Sequence, residues 1–318
     1  MMKYSFIFLL FTMVLSAQDI VPKSMIEAGG NVQSIALYGD KIVAGTSLGT
    51  IEVYKMSDAS AVSKIVFENI QDFTGESIAP KVFSVDMLEG TNTYVAVLQA
   101  QSGARSLYLV ENGQKKELIG ASKNMFITKA KFIDKNKILL ALMSNELILW
   151  DILAQKELYR TQINPSHFSD FALNEAKTIV ASSCESGEVT LSDVQTGKTL
   201  KVLEGGNVDN VYKVDFKKGK VLCAGQDRRG IVYDANSGKF DRYDGSFLLY
   251  AGALSPSSKR GAFAFNERND IVIFDLEQKR EIFTLVGQKS TLNTIIFASE
   301  KELVSGSDDK FILIWRLP

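Results

Sequence analysis

Few side chains in this sequence could do chemistry, and their spacing limits what they can do. Histidine occurs once, at His167, and cysteine twice, at Cys184 and Cys223. Those three ligands cannot make an ordinary zinc site, and no haem-attachment spacing surrounds the cysteines. Gly45-Thr46-Ser47-Leu48-Gly49 fits the G-x-S-x-G pattern of a hydrolase nucleophile. That pattern needs a strand-to-helix turn and a histidine base, whereas residues 51–54 read as a strand. Gly197-Lys198-Thr199 resembles the end of a phosphate loop, but Ser192 stands where the earlier glycine is required and no helix follows. Asp308-Asp309 lacks the alternating oxygen ligands and central glycine of a calcium loop. All three segments read as turns, and His167, without an identifiable partner, reads as a loop or surface residue. No catalytic, cofactor-binding or metal-binding residue is therefore assigned, although scattered aspartates leave a calcium ion open as an alternative.

The elements around these residues repeat. Turns lead into short apolar strands that end in an aromatic, or its substitute, at positions 54, 108, 150, 192, 233, 274 and 315. The separations are 54, 42, 42, 41, 41 and 41 residues, which marks seven units. Aspartate follows at Asp151, Asp193, Asp234 and Asp275, and turns such as Gln195-Thr196-Gly197-Lys198 and Asn236-Ser237-Gly238-Lys239 come next. Glycine supplies the positive φ of a tight hairpin, while asparagine and serine hydrogen-bond locally. Each unit reads as four short strands, with no helical periodicity after the first seventeen residues.

Val304-Ser305-Gly306-Ser307-Asp308-Asp309-Lys310-Phe311-Ile312-Leu313-Ile314-Trp315 resembles the closing half of a WD40 repeat. Leu149-Trp150-Asp151 and Val232-Tyr233-Asp234 are similar to that family's strand-end dipeptide. The resemblance covers residues 31–318 and implies an all-β, seven-bladed propeller of four-stranded antiparallel blades. The family's Gly-His pair is missing throughout, so its hydrogen-bonded Asp-His-Ser-Trp arrangement is not expected to form. Blade stability should then rest mainly on apolar packing between neighbouring sheets. The last unit holds only three strands before the chain stops, and residues 20–28 are expected to supply the fourth and close the ring.

Composition is that of a soluble globular protein. Hydrophobic residues make up 46% and charged residues 23% of the 318, enough for a substantial core. The formal net charge is −1 and no long basic run exists, which excludes nucleic acid as a natural partner. Lys3, the apolar run of residues 4–15 and the small pair Ser16-Ala17 have the layout of a secretory signal peptide over residues 1–17. Cleavage after Ala17 or Ser16 would leave residues 18–318 as one propeller without a membrane span. Cys184 and Cys223 could pair in an oxidising compartment or remain two buried thiols.

In a propeller of this kind the connections into each innermost strand share a face with the turns between second and third strands. The repeat alignment places Phe83, Phe126, Phe168, Tyr212, Phe247 and Tyr250 in the former, and Arg228, Arg229 and Arg268 in the latter. Aromatic and arginine side chains dominate protein interfaces, so these residues are the candidate partner-binding set, against the alternative that the aromatics pack between blades. The long first spacing assigns about a dozen extra residues to the connection spanning residues 65–81, which contains Phe73 and is either a partner-contacting loop or decoration. The expected function is a monomeric scaffold without cofactors that binds proteins of the cell envelope. The exported, histidine-poor character resembles the NapL-type accessory proteins of periplasmic nitrate reductases, which would make the partner a respiratory complex. A propeller enzyme or a small-molecule sensor using the central channel is the alternative.

Overall fold

The computed structural model describes residues 18–318, so the expected signal peptide at residues 1–17 lies outside the described residues. Seven antiparallel sheets follow one another along the chain as blades of a propeller. Blade 1 runs from the innermost strand Val32–Tyr38 outward to Ala61–Val66, and blade 2 from Val82–Met87 to Gln114–Ile119. Blades 3, 4 and 5 begin at Ile127–Phe132, Phe168–Leu173 and Val211–Lys217, blade 6 at Gly252–Leu254 and blade 7 at Leu292–Phe297.

Burial explains the sequence pattern within each blade. Second strands such as Lys41–Thr46 and Lys137–Leu142 are buried along nearly their whole length, because both sheet faces pack against neighbouring blades. They read accordingly as unbroken apolar runs. Outer strands such as Ala61–Val66 are exposed along most of their length. Seven apolar clusters fill the seven gaps between blades. In the gap between blades 7 and 1, Val304, Ile312 and Ile314 meet Ile35, Ile42 and Ala44. Each fully buried aliphatic side chain contributes roughly 1.5–3 kcal/mol, and the gaps are the main source of stability.

The ring closes at its seventh blade, with one refinement to the expectation. Ser24–Glu27 pairs antiparallel with Phe311–Arg316 and supplies the missing outer strand. Gln18–Ile20 instead pairs parallel with Arg280–Leu285 and adds a fifth strand to blade 6. The segment expected to be one strand is two, because Pro22 has no N–H to donate and the chain crosses there from one blade edge to the next.

A polar network adds to the apolar packing. No histidine takes part, yet blade 7 builds an equivalent chain with Gln288. The Trp315 indole N–H donates to Ser305 Oγ (2.8 Å), which donates to Gln288 Oε1 (2.8 Å). Gln288 Nε2 donates to Ser307 Oγ (2.6 Å), and Ser307 donates to Asp309 Oδ1 (2.7 Å). Glutamine has the donor and the acceptor needed to relay between two hydroxyls. In blade 5 Asn207 stands at the corresponding connection, donating to Asp227 Oδ1 (3.0 Å), while the Gly206 N–H donates to the Tyr233 hydroxyl (2.9 Å). Blade stability is therefore not left to apolar packing alone.

Blade 1 has its own buried polar group. Glu52 accepts hydrogen bonds from the hydroxyls of Tyr54 and Thr50, from the Gly29 N–H and from Lys64. Burial pushes its carboxyl up, but those donors together outweigh burial and bring it down to about 2. The extra residues before blade 2 form a small hairpin, Ile70–Gln71 against Ser77–Ile78, whose turn is held by Asp72 accepting from Thr74 and Glu76. Cys184 and Cys223 are both buried and free. Among the described residues no helix is long and apolar enough to cross a membrane.

Candidate functional site

Backbone hydrogen bonds tie the connections entering each blade to the turns between second and third strands. Ser47 N–H donates to the Asn31 carbonyl, Gln99 to Lys81, Met143 to Phe126, and Glu185 to His167. Gln226 donates to Asn210, Ala264 to Ala251, and Asp308 to Thr291, so the arrangement recurs in all seven blades. One face of the ring therefore carries both sets of segments, and the candidate residues can be located on it one by one.

Three of the aromatics form one group. Tyr212 and Tyr250 stack with ring centroids 4.8 Å apart and planes 25° apart, and Phe247 lies 6.3 Å from Tyr250. All three are half-buried, and the Tyr212 hydroxyl donates to Gln226 Oε1 (2.7 Å) in the adjoining turn. Arg228 occupies the next position but one in that turn, at φ 63°, and is exposed. Phe126 is half-exposed beside a surface pocket shared with Met143, Arg160 and His167. Phe73, at the tip of the inserted hairpin, is 90% exposed.

Other candidates serve the fold. Phe168 is buried and packs against Phe171 at 6.2 Å within the gap between blades 3 and 4, so it is removed from the binding set. The cause is its position. It opens its innermost strand where the other blades place Val32, Val82, Ile127, Val211 and Leu292, all buried. Phe83 stands one residue later in its own strand and is half-buried beneath Arg105, whose guanidinium carbon lies 4.0 Å from the ring centroid. Arg229 clasps the fold, donating to the Gly206 carbonyl (3.1 Å) and facing Asp227. Arg268 is mostly exposed but is held by Asp270 at 2.7 Å.

Sequence reasoning passed over further apolar residues on this face. Leu48, Met143 and Val208 are exposed by 54%, 40% and 64%. Each sits in a turn or connection where a polar residue would serve the backbone as well, and that mismatch is the signal that could have found them. The segment matching a nucleophile pattern is confirmed as a turn, since Gly49 has φ 67° and the strand Thr50–Lys55 follows directly. His167 is on the surface, 3.4 Å from Glu185. Among the described residues no group of three or more His, Cys, Asp or Glu is placed to hold a metal ion.

Behind this face runs the central channel, a cavity of about 570 Å³ lined by the innermost strands of all seven blades. Side chains of one strand accept from the backbone of the next around its wall. Ser34 accepts from Val85 N–H, Ser84 from Ala130 N–H, Asp86 from Phe132 N–H, Asp170 from Val214 N–H and Asp215 from Leu254 N–H. Asp86 is fully buried and also accepts from the Tyr38 hydroxyl and the Lys131 ammonium, both at 2.8 Å. Burial works to lower Lys131, but Asp86 and Tyr38 outweigh it and raise the group above the usual lysine range. Lys129 donates to Asp170 Oδ1 (2.6 Å) and to the Phe171 carbonyl (2.8 Å). Burial pushes the Asp170 carboxyl up, yet the ammonium groups of Lys129 and Lys213 outweigh it and hold it below the usual carboxylate range.

Comparison with known proteins finds no family model that matches the chain and no curated protein that matches it.

Proposed function

We propose that this chain is an exported, non-enzymatic interaction module that binds a protein partner through the face bearing Tyr212, Phe247 and Tyr250. The observation that carries the reading is the stacked tyrosine pair, with the exposed Val208 and an exposed Arg228 that is unpaired among the described residues on the same face. Half-buried aromatics in fixed positions lose little entropy on binding, and they dominate interface energies together with arginine. A seven-bladed propeller suits this role, because its blades hold loops from distant parts of the sequence on one rigid face.

The finer reading is an accessory or assembly factor, acting as a monomer, for an envelope complex. The signal-like residues 1–17 support export, and the resemblance to NapL-type accessory proteins points to a respiratory complex such as periplasmic nitrate reductase. The test is affinity isolation of the tagged mature protein from its native envelope fraction, with N-terminal sequencing of the recovered chain. Stoichiometric recovery of a respiratory complex, lost with the variant Tyr212→Ala/Tyr250→Ala, supports the reading. A hot spot of about 2 kcal/mol per tyrosine corresponds to roughly 30-fold weaker binding for each. Recovery of the chain alone under varied salt and detergent, or an N-terminus that retains residues 1–17, overturns it.

A further inference from the structure

The channel wall carries an imbalance of charge at one place. In blades 1, 2, 3, 4, 5 and 7 the innermost strand skips register after its first residue, so that Ser34, Ser84, Lys129, Asp170, Lys213 and Thr294 hold equivalent positions. Blades 3, 4 and 5 are consecutive. The Asp170 carboxylate therefore stands between two lysines, and it is committed to one of them, Lys129, at 2.6 Å. Lys213 has no ion-pair or hydrogen-bond partner among the described residues, although it is half-buried and lines the channel. Its ammonium is near enough to help depress both Asp170 and, after burial itself, Lys129.

The neighbouring wall leaves room beside it. Blade 6 presents Gly252 to the channel, a residue without a side chain that could meet the Lys213 charge. A Cβ at that position would point into the gap between blades 5 and 6, 2.7 Å from Leu222 Cδ2, so this residue meets the channel with its backbone alone. The cavity of about 570 Å³ lies within the range of small-molecule sites, and Leu37, Phe83 and Ile296 give it apolar wall elsewhere. A half-buried ammonium without a counter-ion is costly, and a bound anion removes that cost.

We propose that the central channel binds a small organic carboxylate, its head group against the Lys213 ammonium beside Gly252 and its apolar body along the wall formed by Leu37, Phe83 and Ile296. The ammonium of Lys213, with neither an ion pair nor a hydrogen bond among the described residues, calls for a carboxylate head group, and the mixed wall calls for an organic body over a bare inorganic ion. The site is separate from the protein-binding face and stands whether or not a partner docks there.

The experiment is calorimetric titration of the mature protein with benzoate to 20 mM (about the range in which a single ion pair in a roomy pocket registers), with benzamide as neutral isostere and inorganic phosphate as an ionic control. Saturable binding of benzoate is expected, with benzamide and phosphate each at least tenfold weaker. Lys213→Met should lose benzoate binding at least tenfold, while Lys213→Arg keeps it. Thermal melting checks that both variants fold, and removing an unpaired charge should leave Lys213→Met at least as stable as the parent. Absence of saturable benzoate binding, equal binding of benzamide or phosphate, or unchanged affinity in folded Lys213→Met overturns the proposal.

Discussion

Replacing Asp86 by alanine tests how much the polar wall of the channel contributes to the ring. Asp86 is fully buried and receives three donors, the Tyr38 hydroxyl at 2.8 Å, the Lys131 ammonium at 2.8 Å and the Phe132 N–H at 2.9 Å. These donors belong to three consecutive blades together with their acceptor, since Tyr38 is in blade 1, Asp86 in blade 2, and Lys131 and Phe132 in blade 3. Asp86→Ala leaves a largely buried ammonium without its counter-charge and strands two further donors. Breaking a buried pair in this way costs about 3–5 kcal/mol. With an unfolding entropy of about 2.1 cal/mol/K per residue over about 300 residues, that loss lowers the melting temperature by roughly 5–8 °C. The assay is urea denaturation followed by near-UV circular dichroism, with thermal melting alongside. The double variant Asp86→Ala/Lys131→Met removes the stranded charge and should recover at least half of the loss. A single variant within about 1 kcal/mol of the parent, or a double variant no better than the single, would refute the reasoning.

Glu52 predicts an acid limit. Its folded carboxyl lies at about 2 against an ordinary value of 4.5, so its stabilisation is complete above pH 4.5 and is lost as pH falls towards 2. That difference is worth about 3 kcal/mol, and Glu52→Gln should be less stable at pH 7 and lose less between pH 4.5 and 2, as urea midpoints across that range will show. Gln288→Ala should cost about 1–3 kcal/mol by stranding buried hydroxyls of Ser305 and Ser307, whereas Gln288→His should retain most of the stability; equal loss in both would dismiss the relay. Deleting residues 71–78 should leave the melting curve within about 2 °C of the parent, because the hairpin pairs only with itself, while weakening partner capture. Undiminished capture would make the insertion decorative.

The fold was legible because a spacing of 41 or 42 residues repeats regardless of which apolar side chain fills each strand. The site was less so. Phe168 and Phe83 look alike in sequence, yet they stand at the first and second positions of their innermost strands. The register skips in both blades, and it is the first position, Phe168 in one and Val82 in the other, that is turned into the gap between blades; aligning Phe168 with Val32, Ile127 and Val211 would have shown this. The Gln288 relay was hidden because glutamine reproduces the hydrogen-bonding ability of a histidine without matching the motif. Lys213 was invisible for a different reason, since an unpaired charge is a property of its neighbours, and those on the flanking blades are far from it in sequence.

The split at Pro22 has a consequence for how the molecule is finished. Blades 1 to 5 can stack as they are synthesised, but the outer edges of blades 6 and 7 are both covered by residues 18–27, made long before those blades exist. This segment is a latch that can seat on blade 7 only when the last strand, Phe311–Arg316, is there to pair with it. When it lets go, two neighbouring blades lose their outermost strand in the same event, and their unpaired backbone faces solvent. The segment that fits both edges at once is the same stretch from another copy, so the latch is the place where a crowded solution of this protein would exchange strands and link chain to chain.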